Sequence, residues 1–200
     1  MASSYNIKKY VYLYHEINEI GLSLTGSVEL TELFCSPILV LARKRRLMDI
    51  MQAIKERHSV RAFTDEPLSP ETILQLKQEI GTCNAQSGLH MQLVVDEPEA
   101  FDCRMAKYGK FSGVRNYLAL IGPKGSNLDE DCGYYGERIV LLAQQLGLTS
   151  CWVGMTYQKV TDAYQINDGE KLTAVIALGY GETQGKPHKT KGLEDVSPDI

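Results

Sequence analysis

The chain has 200 residues, of which 44% are hydrophobic and 23% charged, with a formal net charge of -4 and a pI near 5.6. This composition predicts a soluble globular protein with one domain, long enough to bury about 70% of the surface of its unfolded state. The acidic balance argues against nucleic acid as a partner, because binding to a phosphate backbone needs a net basic face.

The N-terminal part of the chain contains an apolar run at 34–42, followed by four basic residues at 43–46. A run of nine residues is far shorter than the about 20 that a membrane-spanning helix needs, so no transmembrane segment is predicted. Contact with a membrane surface stays open, as do an ordinary packed helix and a disordered extension. An upstream extension of the reading frame, with Met48 as the natural initiator, is equally open.

Two helices are predicted next. Apolar residues at helical spacing within 50–54 predict the first helix. Ser69 and Pro70 form an N-cap and a first-turn proline, and the apolar residues that follow at helical spacing predict a second helix that ends at Gly81.

Helices and strands alternate along the rest of the chain. Runs rich in β-forming residues predict four strands, at 90–95, 116–121, 149–153 and 172–178. A helix over 98–108 separates the first two strands, and a long helix over 130–146, stopped by Gly147, precedes the third. This order predicts a sheet that is covered by helices on both faces.

The long helix over 130–146 carries Gly133 and Gly136, where two backbones can approach each other closely. Two interpretations of this helix stay open. It is a candidate for the central contact of a dimer, and equally for a buried core helix of the monomer.

A cluster of cations with a hydroxyl follows the first predicted helix, where the chain becomes extended. Arg57 and Arg61 offer forked donors with a permanent charge, and His58 and Ser59 lie between them. Such donors suit a phosphate, which carries about two negative charges near neutral pH, and therefore indicate a phosphorylated cofactor. The alternative is that Arg57 and His58 only complement the C-terminal end of a helix dipole while Arg61 is solvated.

Three further segments accompany this cluster in chain order: 81–90 ahead of a strand, 147–155 after the long helix, and 186–191 after the last strand. Together with the cluster and with the motif at 111–117, they resemble the flavin-dependent nitroreductases, in particular a branch from anaerobic bacteria. The resemblance runs over about 48–196. It divides the chain into an N-terminal extension of unknown role at 1–47 and a nitroreductase-like FMN-binding domain at 48–200.

The resemblance implies which residues bind FMN, and it implies neither a catalytic side chain nor a metal, because the flavin carries the chemistry. The ribityl chain and phosphate are contacted by Arg57, His58, Ser59 and Arg61. Asn84 and Gln86 lie beside the flavin, and Gly154 and Met155 face the isoalloxazine. A late basic pair at the phosphate consists of Lys189 and Lys191.

The implied fold is α+β, a mixed sheet sandwiched by helices that usually forms an intertwined homodimer. The implied activity passes hydride from NADH or NADPH through FMN to a nitroaromatic, a quinone or a similar small acceptor. Relatives continue beyond the last basic pair, so a chain that ends at Ile200 is expected to be truncated at the C-terminus. The alternatives are a non-catalytic flavin-binding module or remnant without turnover, and a structural protein without flavin.

Other chemistries lack support in the sequence. No GxGxxG, GxSxG or HExxH motif occurs, which disfavours a Rossmann dehydrogenase, a serine hydrolase and a metalloprotease. The five cysteines form no CxxC pair and no metal-ligand spacing, so no structural zinc is predicted. Their odd number, without a convincing signal peptide, indicates reduced thiols and a cytoplasmic location.

Overall fold

The computed structural model describes residues 48–187 and 191–197 of the chain. The apolar run at 34–42 and the predicted site residue Lys189 lie outside the described residues. In the described ranges, no helix is long and apolar enough to cross a membrane, and no group of His, Cys, Asp or Glu side chains is arranged to hold a metal ion. The elements in chain order are α1 Ile50–Glu56, α2 Pro70–Ser87, β1 Gln92–Val94, α3 Arg104–Tyr108, β2 Asn116–Pro123, α4 Leu128–Gln145, β3 Thr149–Val153, β4 Glu170–Gly179 and α5 Leu193–Val196.

The four strands form one sheet in the order β1-β2-β4-β3, and each neighbouring pair is antiparallel. Parallel pairing between described residues occurs as isolated bridges, Ser59 with Ser150 and Ala62 with Ser112. All four predicted strands are confirmed, and their ends lie within two residues of the predicted ones.

Helix α2 is longer than predicted. Ser69 caps its N-terminus by accepting a hydrogen bond from the Thr72 N–H at 3.1 Å, as the sequence indicates. The predicted end at Gly81 is wrong, because the helix continues to Ser87 and ends only where Gly88 takes the left-handed conformation with φ 75°. Apolar side chains on both sides of Gly81 are buried in one core cluster, so packing outweighs the helix-weakening effect of a single glycine.

The side chains of the sheet alternate between two apolar clusters, one on each face. On β2, Leu118 and Leu120 belong to the cluster that includes α2 and α4, whereas Tyr117 and Ile121 belong to the second cluster. The second face is covered by α3, which has only five residues, and by the irregular segments around it. The predicted α+β class, with a sheet between helical layers, is confirmed, although the second layer contains less helix than the predicted span 98–108.

Helix α4 supplies one side of the first cluster. Ile139 and Ala143 are fully buried there. Gly136 is needed because a Cβ at this position would lie 2.6 Å from the indole ring of Trp152. Gly133 is exposed, with open space where its Cβ would be. The interpretation as a core helix is therefore confirmed for one face of α4, and the dimer contact stays a prediction for the other.

A hydrogen bond between side chains joins the segment before β1 to the start of β4. The Nδ1 atom of His90 lies 3.0 Å from Oε2 of Glu170, and the Asn167 N–H donates to the same oxygen at 2.8 Å. The hydrogen bond with His90, followed by that from Asn167, holds the pKa of the Glu170 carboxyl below its usual range. The folded state therefore binds the proton of Glu170 less readily than the unfolded state does.

This linkage predicts how stability depends on pH. A carboxyl whose pKa is lowered in the folded state stabilises the protein above its unfolded pKa, and this contribution is lost as the pH falls through the lowered value. We expect the urea midpoint of the wild type to fall more steeply than that of Glu170→Gln between about pH 5 and pH 3. Glu66→Gln, at an exposed carboxylate, is the matched control and should follow the wild type. Parallel curves for wild type and Glu170→Gln would contradict the role of this pair.

Candidate functional site

The cation cluster begins where α1 ends. The Arg57 N–H donates to the Ala53 carbonyl at 2.9 Å, and Arg57 itself, with φ -66° and ψ 121°, turns the chain from helix to extended backbone. Beyond it, the Val60 N–H donates to the Ser150 carbonyl of β3 at 3.0 Å. The predicted change from helix to extended chain is confirmed, and it fixes the cluster against the end of the sheet.

Side chains of the extended segment alternate between the core and the surface. Val60 is buried, whereas Ser59 and Arg61 on either side of it are exposed. The Arg61 guanidinium lies over the ring of Phe111, 5.8 Å from its centroid, which restricts where this cation can move. The hydroxyl and the cation therefore project from the same side of the segment, away from the core.

The turn that follows β4 packs directly on this segment. Gly185 has φ +79°, and a Cβ on it would lie 2.7 Å from the Cβ of His58, so this position requires glycine. Gly181 is similarly close, since its Cβ would lie 2.9 Å from Cγ1 of Val60. These contacts bring Lys186, the next residue of the turn, beside the cation cluster.

A cavity of about 510 Å³ lies between the extended segment and the turn. Four of the described side chains that line it are cations, one more is an imidazole, and none is a carboxylate. The cavity therefore presents a concentrated positive potential to any ligand that enters it. Its lining consists of Arg57, His58, Ser59, Val60, Arg61, Ala62, Lys110, Thr183, Gly185 and Lys186.

Two side-chain nitrogens of this lining are buried and have no hydrogen-bond partner among the described residues, Nη1 of Arg57 and Nδ1 of His58. A buried polar atom left without a partner costs about 1 to 3 kcal/mol, so both atoms favour a bound ligand that pairs with them. A phosphate offers several acceptor oxygens and matches the forked donors of arginine. The cavity thus fits the phosphate group of a bound cofactor.

The residues predicted beside the flavin lie elsewhere. The Asn84 side chain bonds both main-chain polar groups of Met91, at 2.9 and 3.0 Å, and so ties the end of α2 to the segment before β1. Gln86 accepts a hydrogen bond from Nη1 of Arg138 at 2.6 Å. Neither Asn84 nor Gln86 lines the cavity. Their role beside the flavin stays a prediction.

The residues predicted to face the isoalloxazine follow β3 on the surface. Gly154 has open space where its Cβ would be, and Met155 is 82% exposed. Of the late basic pair, Lys191 is exposed and does not line the cavity, and Lys189 lies outside the described ranges. Lys186 is the late cation that the structure places at the cavity. The roles of Gly154, Met155 and the late pair stay predictions.

Sequence reasoning missed two cations of the cavity. Lys186 belongs to the late basic segment, but the resemblance pointed to other lysines of that segment. Lys110 belongs to no motif that the sequence analysis used, and its positive φ of 61° is rare for a residue with a side chain. It reaches the cavity because the Ser112 N–H donates to the Arg61 carbonyl at 3.0 Å. That long-range pairing is not visible in the sequence.

Cys151 of β3 lies close to the two arginines of the cluster but is buried. Burial raises the pKa of its thiol, and the positive charges of Arg61 and Arg57 offset this effect only in part. The thiol is therefore protonated near neutral pH and packs as a small apolar side chain.

A family model described as "Putative TM nitroreductase" matches residues 49–199, about three quarters of the chain. This chain belongs to the nitroreductase family. Among curated proteins, none matches it. The matched range includes every segment from the cation cluster to the late basic segment.

Solved nitroreductase structures share the fold. An FMN-dependent nitroreductase from Clostridium difficile is 16% identical with a TM-score of 0.53, and the match covers 75% of this chain and 96% of that chain. A protein from Bacteroides thetaiotaomicron, described as "Putative NADH dehydrogenase/NAD(P)H nitroreductase", is 20% identical with a TM-score of 0.58, covering 73% and 94%. A "putative nitroreductase in complex with fmn" from Desulfovibrio desulfuricans is 16% identical with a TM-score of 0.57, covering 74% and 95%.

Proposed function

We propose that this nitroreductase uses FMN to pass hydride from NADH or NADPH to a nitroaromatic, a quinone or a similar small acceptor. The observation that carries the proposal is the cationic cavity with its two unpaired nitrogens, Nη1 of Arg57 and Nδ1 of His58. Two similar structures support the choice of cofactors. The structure from Desulfovibrio desulfuricans is described as a complex with FMN, and the protein from Bacteroides thetaiotaomicron is named for NAD(P)H.

We propose that residues of both segments hold the phosphate of FMN. Arg57 and Arg61 supply forked donors from the early segment, and Lys186 supplies a point charge from the late turn. Lys110 adds a fourth cation to the lining, and the exposed Ser59 hydroxyl is a donor for the ribityl chain. Four cations offset the charge of one phosphate and leave a positive potential near the flavin.

Bound FMN supplies a ring that accepts and returns hydride. The protein residues bind and orient this ring and stabilise negative charge on it, which the cations of the cavity favour. Gly154 and Met155, exposed after β3, are proposed to face the ring and leave one side open to donor and acceptor. No side-chain nucleophile is required, and the buried thiol of Cys151 does not act as one.

Spectroscopy of the purified protein tests the proposal. We expect a yellow protein whose colour bleaches with NADH or NADPH under nitrogen and returns when a nitroaromatic or a quinone is added. Colour without bleaching would indicate a flavin-binding module instead of an oxidoreductase. A colourless protein that FMN does not stabilise would contradict flavin binding, since a ligand at 100 times its dissociation constant stabilises a fold by about 2.7 kcal/mol.

The choice among the late lysines gives a second test. We expect Lys186→Ala to weaken FMN binding about fivefold to tenfold, because it removes one exposed cation from the phosphate site. Lys191→Ala, which removes the same charge from a residue outside the lining, should change the dissociation constant less than about twofold. Flavin fluorescence titration measures both. The opposite ranking would assign the phosphate to Lys191, as the resemblance implies.

We also propose that the protein is a homodimer, and an apolar surface on α1 supports this. Ile50, Met51 and Ile54 lie on one side of the helix and are 43%, 59% and 50% exposed. α1 runs beside α4, where Nε2 of Gln145 donates to the Met48 carbonyl at 2.6 Å. A second copy of this chain is the proposed occupant of this surface.

Light scattering with size-exclusion chromatography measures the oligomeric state. The wild type should have twice the mass of the 22.3 kDa chain, and Ile54→Asp should shift it to the monomer because a charge then enters an apolar contact. Leu74→Asp is the control, since Leu74 is an equally exposed apolar residue on α2, outside this surface. A monomeric wild type would contradict the dimer.

A further inference from the structure

Glu137 of α4 connects Arg57 to the strand that leads toward the proposed ring site. Its Oε1 atom lies 3.4 Å from Nε of Arg57, and its Oε2 atom accepts a hydrogen bond from the indole N–H of Trp152 at 3.0 Å. Trp152 lies on β3, two residues before Gly154. The Glu137 carboxylate thus contacts both Arg57 of the cavity and Trp152 of β3, the strand that precedes the exposed Gly154.

Arg57 depends on this contact. Its side chain is only 22% exposed, and its Nη1 atom is buried without a partner. Glu137 supplies the ion pair that Arg57 makes among the described residues. Glu137 is 41% exposed, so the pair is only partly shielded from water. If the carboxylate lost its charge, the mostly buried guanidinium would lose this partner, and the side chain would be free to turn toward water and leave the cavity.

Glu137 itself is held in place from two sides. The indole N–H of Trp152 donates to one oxygen, and the ring of Trp152 lies so near α4 that even a Cβ at Gly136 would come within 2.6 Å of it. Glu137 is absent from the cavity lining. It therefore acts on a bound anion through Arg57 and not by contact with the anion.

We propose that Glu137 is a positioning residue of the cofactor site, which holds the Arg57 guanidinium with its Nε edge occupied and its Nη atoms available to the flavin phosphate. This inference rests on the proposed function, because it assumes that FMN occupies the cavity. A negative charge beside a phosphate site would by itself weaken anion binding. The orientation of Arg57 outweighs this repulsion, since the arginine is otherwise lost from the site.

A double-mutant cycle tests the inference. The dissociation constants of FMN and of riboflavin, which lacks the phosphate, are measured by flavin fluorescence for the wild type, Glu137→Gln, Arg57→Ala and the double variant. Glu137→Gln keeps the size of the side chain and an oxygen for the Trp152 N–H. Asp129→Asn is the matched control. Asp129 also lies on α4, and its Oδ1 atom is 3.5 Å from Nζ of Lys171, so this variant removes a carboxylate from an ion pair outside the cavity.

We expect Glu137→Gln to weaken FMN binding about tenfold and to change riboflavin binding less than about twofold, while Asp129→Asn changes neither. In the Arg57→Ala background, Glu137→Gln should cause no further weakening. Trp152 is the only tryptophan of the chain, so its fluorescence in the flavin-free protein reports whether the indole keeps its environment in each variant.

Three outcomes overturn the inference. Glu137→Gln could bind FMN as tightly as the wild type, it could weaken riboflavin as much as FMN, or its effect could be the same with and without Arg57. In each of these cases a wild type that binds FMN leaves the proposed function intact. A wild type that binds neither flavin contradicts the proposed function, and this inference with it.

Discussion

Arg57→Ala is expected to weaken FMN binding by about tenfold to hundredfold, because a charge-assisted pair with a phosphate contributes about 1.5 to 3 kcal/mol. Arg57 combines three features that favour a large effect: it lines the cavity, it is mostly buried, and its Nη1 atom has no partner among the described residues. An unpaired donor gains a full hydrogen bond when the ligand binds. Titration of flavin fluorescence measures the loss.

Two controls isolate the phosphate contact. Riboflavin affinity should change little in Arg57→Ala, since riboflavin has no phosphate to lose. Lys77→Ala removes an exposed cation of α2, outside the cavity, and should leave FMN affinity unchanged within about twofold. Unchanged FMN affinity in Arg57→Ala would exclude Arg57 from the site and with it the assignment of this cavity.

Gly113→Ala is expected to destabilise the fold by about 3 kcal/mol or more and to lower the melting temperature by about 10 °C. Gly113 has φ +69°, which a residue with a side chain rarely adopts. A Cβ on it would also lie 2.1 Å from the Phe63 carbonyl oxygen, a distance that forces the backbone of one segment to move. Phe63 lies on the extended segment that carries Arg61, so a shift of that segment should weaken FMN binding as well.

Gly147→Ala separates the two causes. Gly147 has a similar φ of +83°, but no atom lies within 4 Å of the position of its Cβ. This variant should show only the backbone strain of about 1 kcal/mol, or a decrease in melting temperature of about 3 °C. Thermal unfolding by circular dichroism measures both variants. Equal effects at the two positions would show that the contact with Phe63 is not tight.

Much of the fold could be predicted because its signals are local. Ser69 and Pro70 mark the start of α2, and runs rich in β-forming residues mark all four strands. The end of α2 could not be predicted in the same way. Glycine is a common stop signal, but at Gly81 the helix continues since the residues after it pack on the core. Whether a glycine ends a helix depends on contacts that lie outside the local sequence.

That the early cations lie together could also be predicted from the sequence. Arg57, His58, Ser59 and Arg61 line one cavity as the sequence and the family resemblance indicate. The role of Asn84 beside the flavin stays a prediction, because residue type does not distinguish an amide that contacts a ligand from one that pairs with main-chain groups. In this structure it pairs with those of Met91.

The four strands, the start of α2, the order of the segments and the clustering of Arg57 with Arg61 follow from the amino-acid sequence, because caps, periodicity and charge are properties of neighbouring residues. Which distant cations join that cluster depends on how the whole chain folds. Lys186 reaches it through the close contact of Gly185 with His58, and Lys110 through the hydrogen bond of Ser112 to Arg61. Both contacts join residues far apart in the chain, and such pairings form only when the whole sheet is assembled.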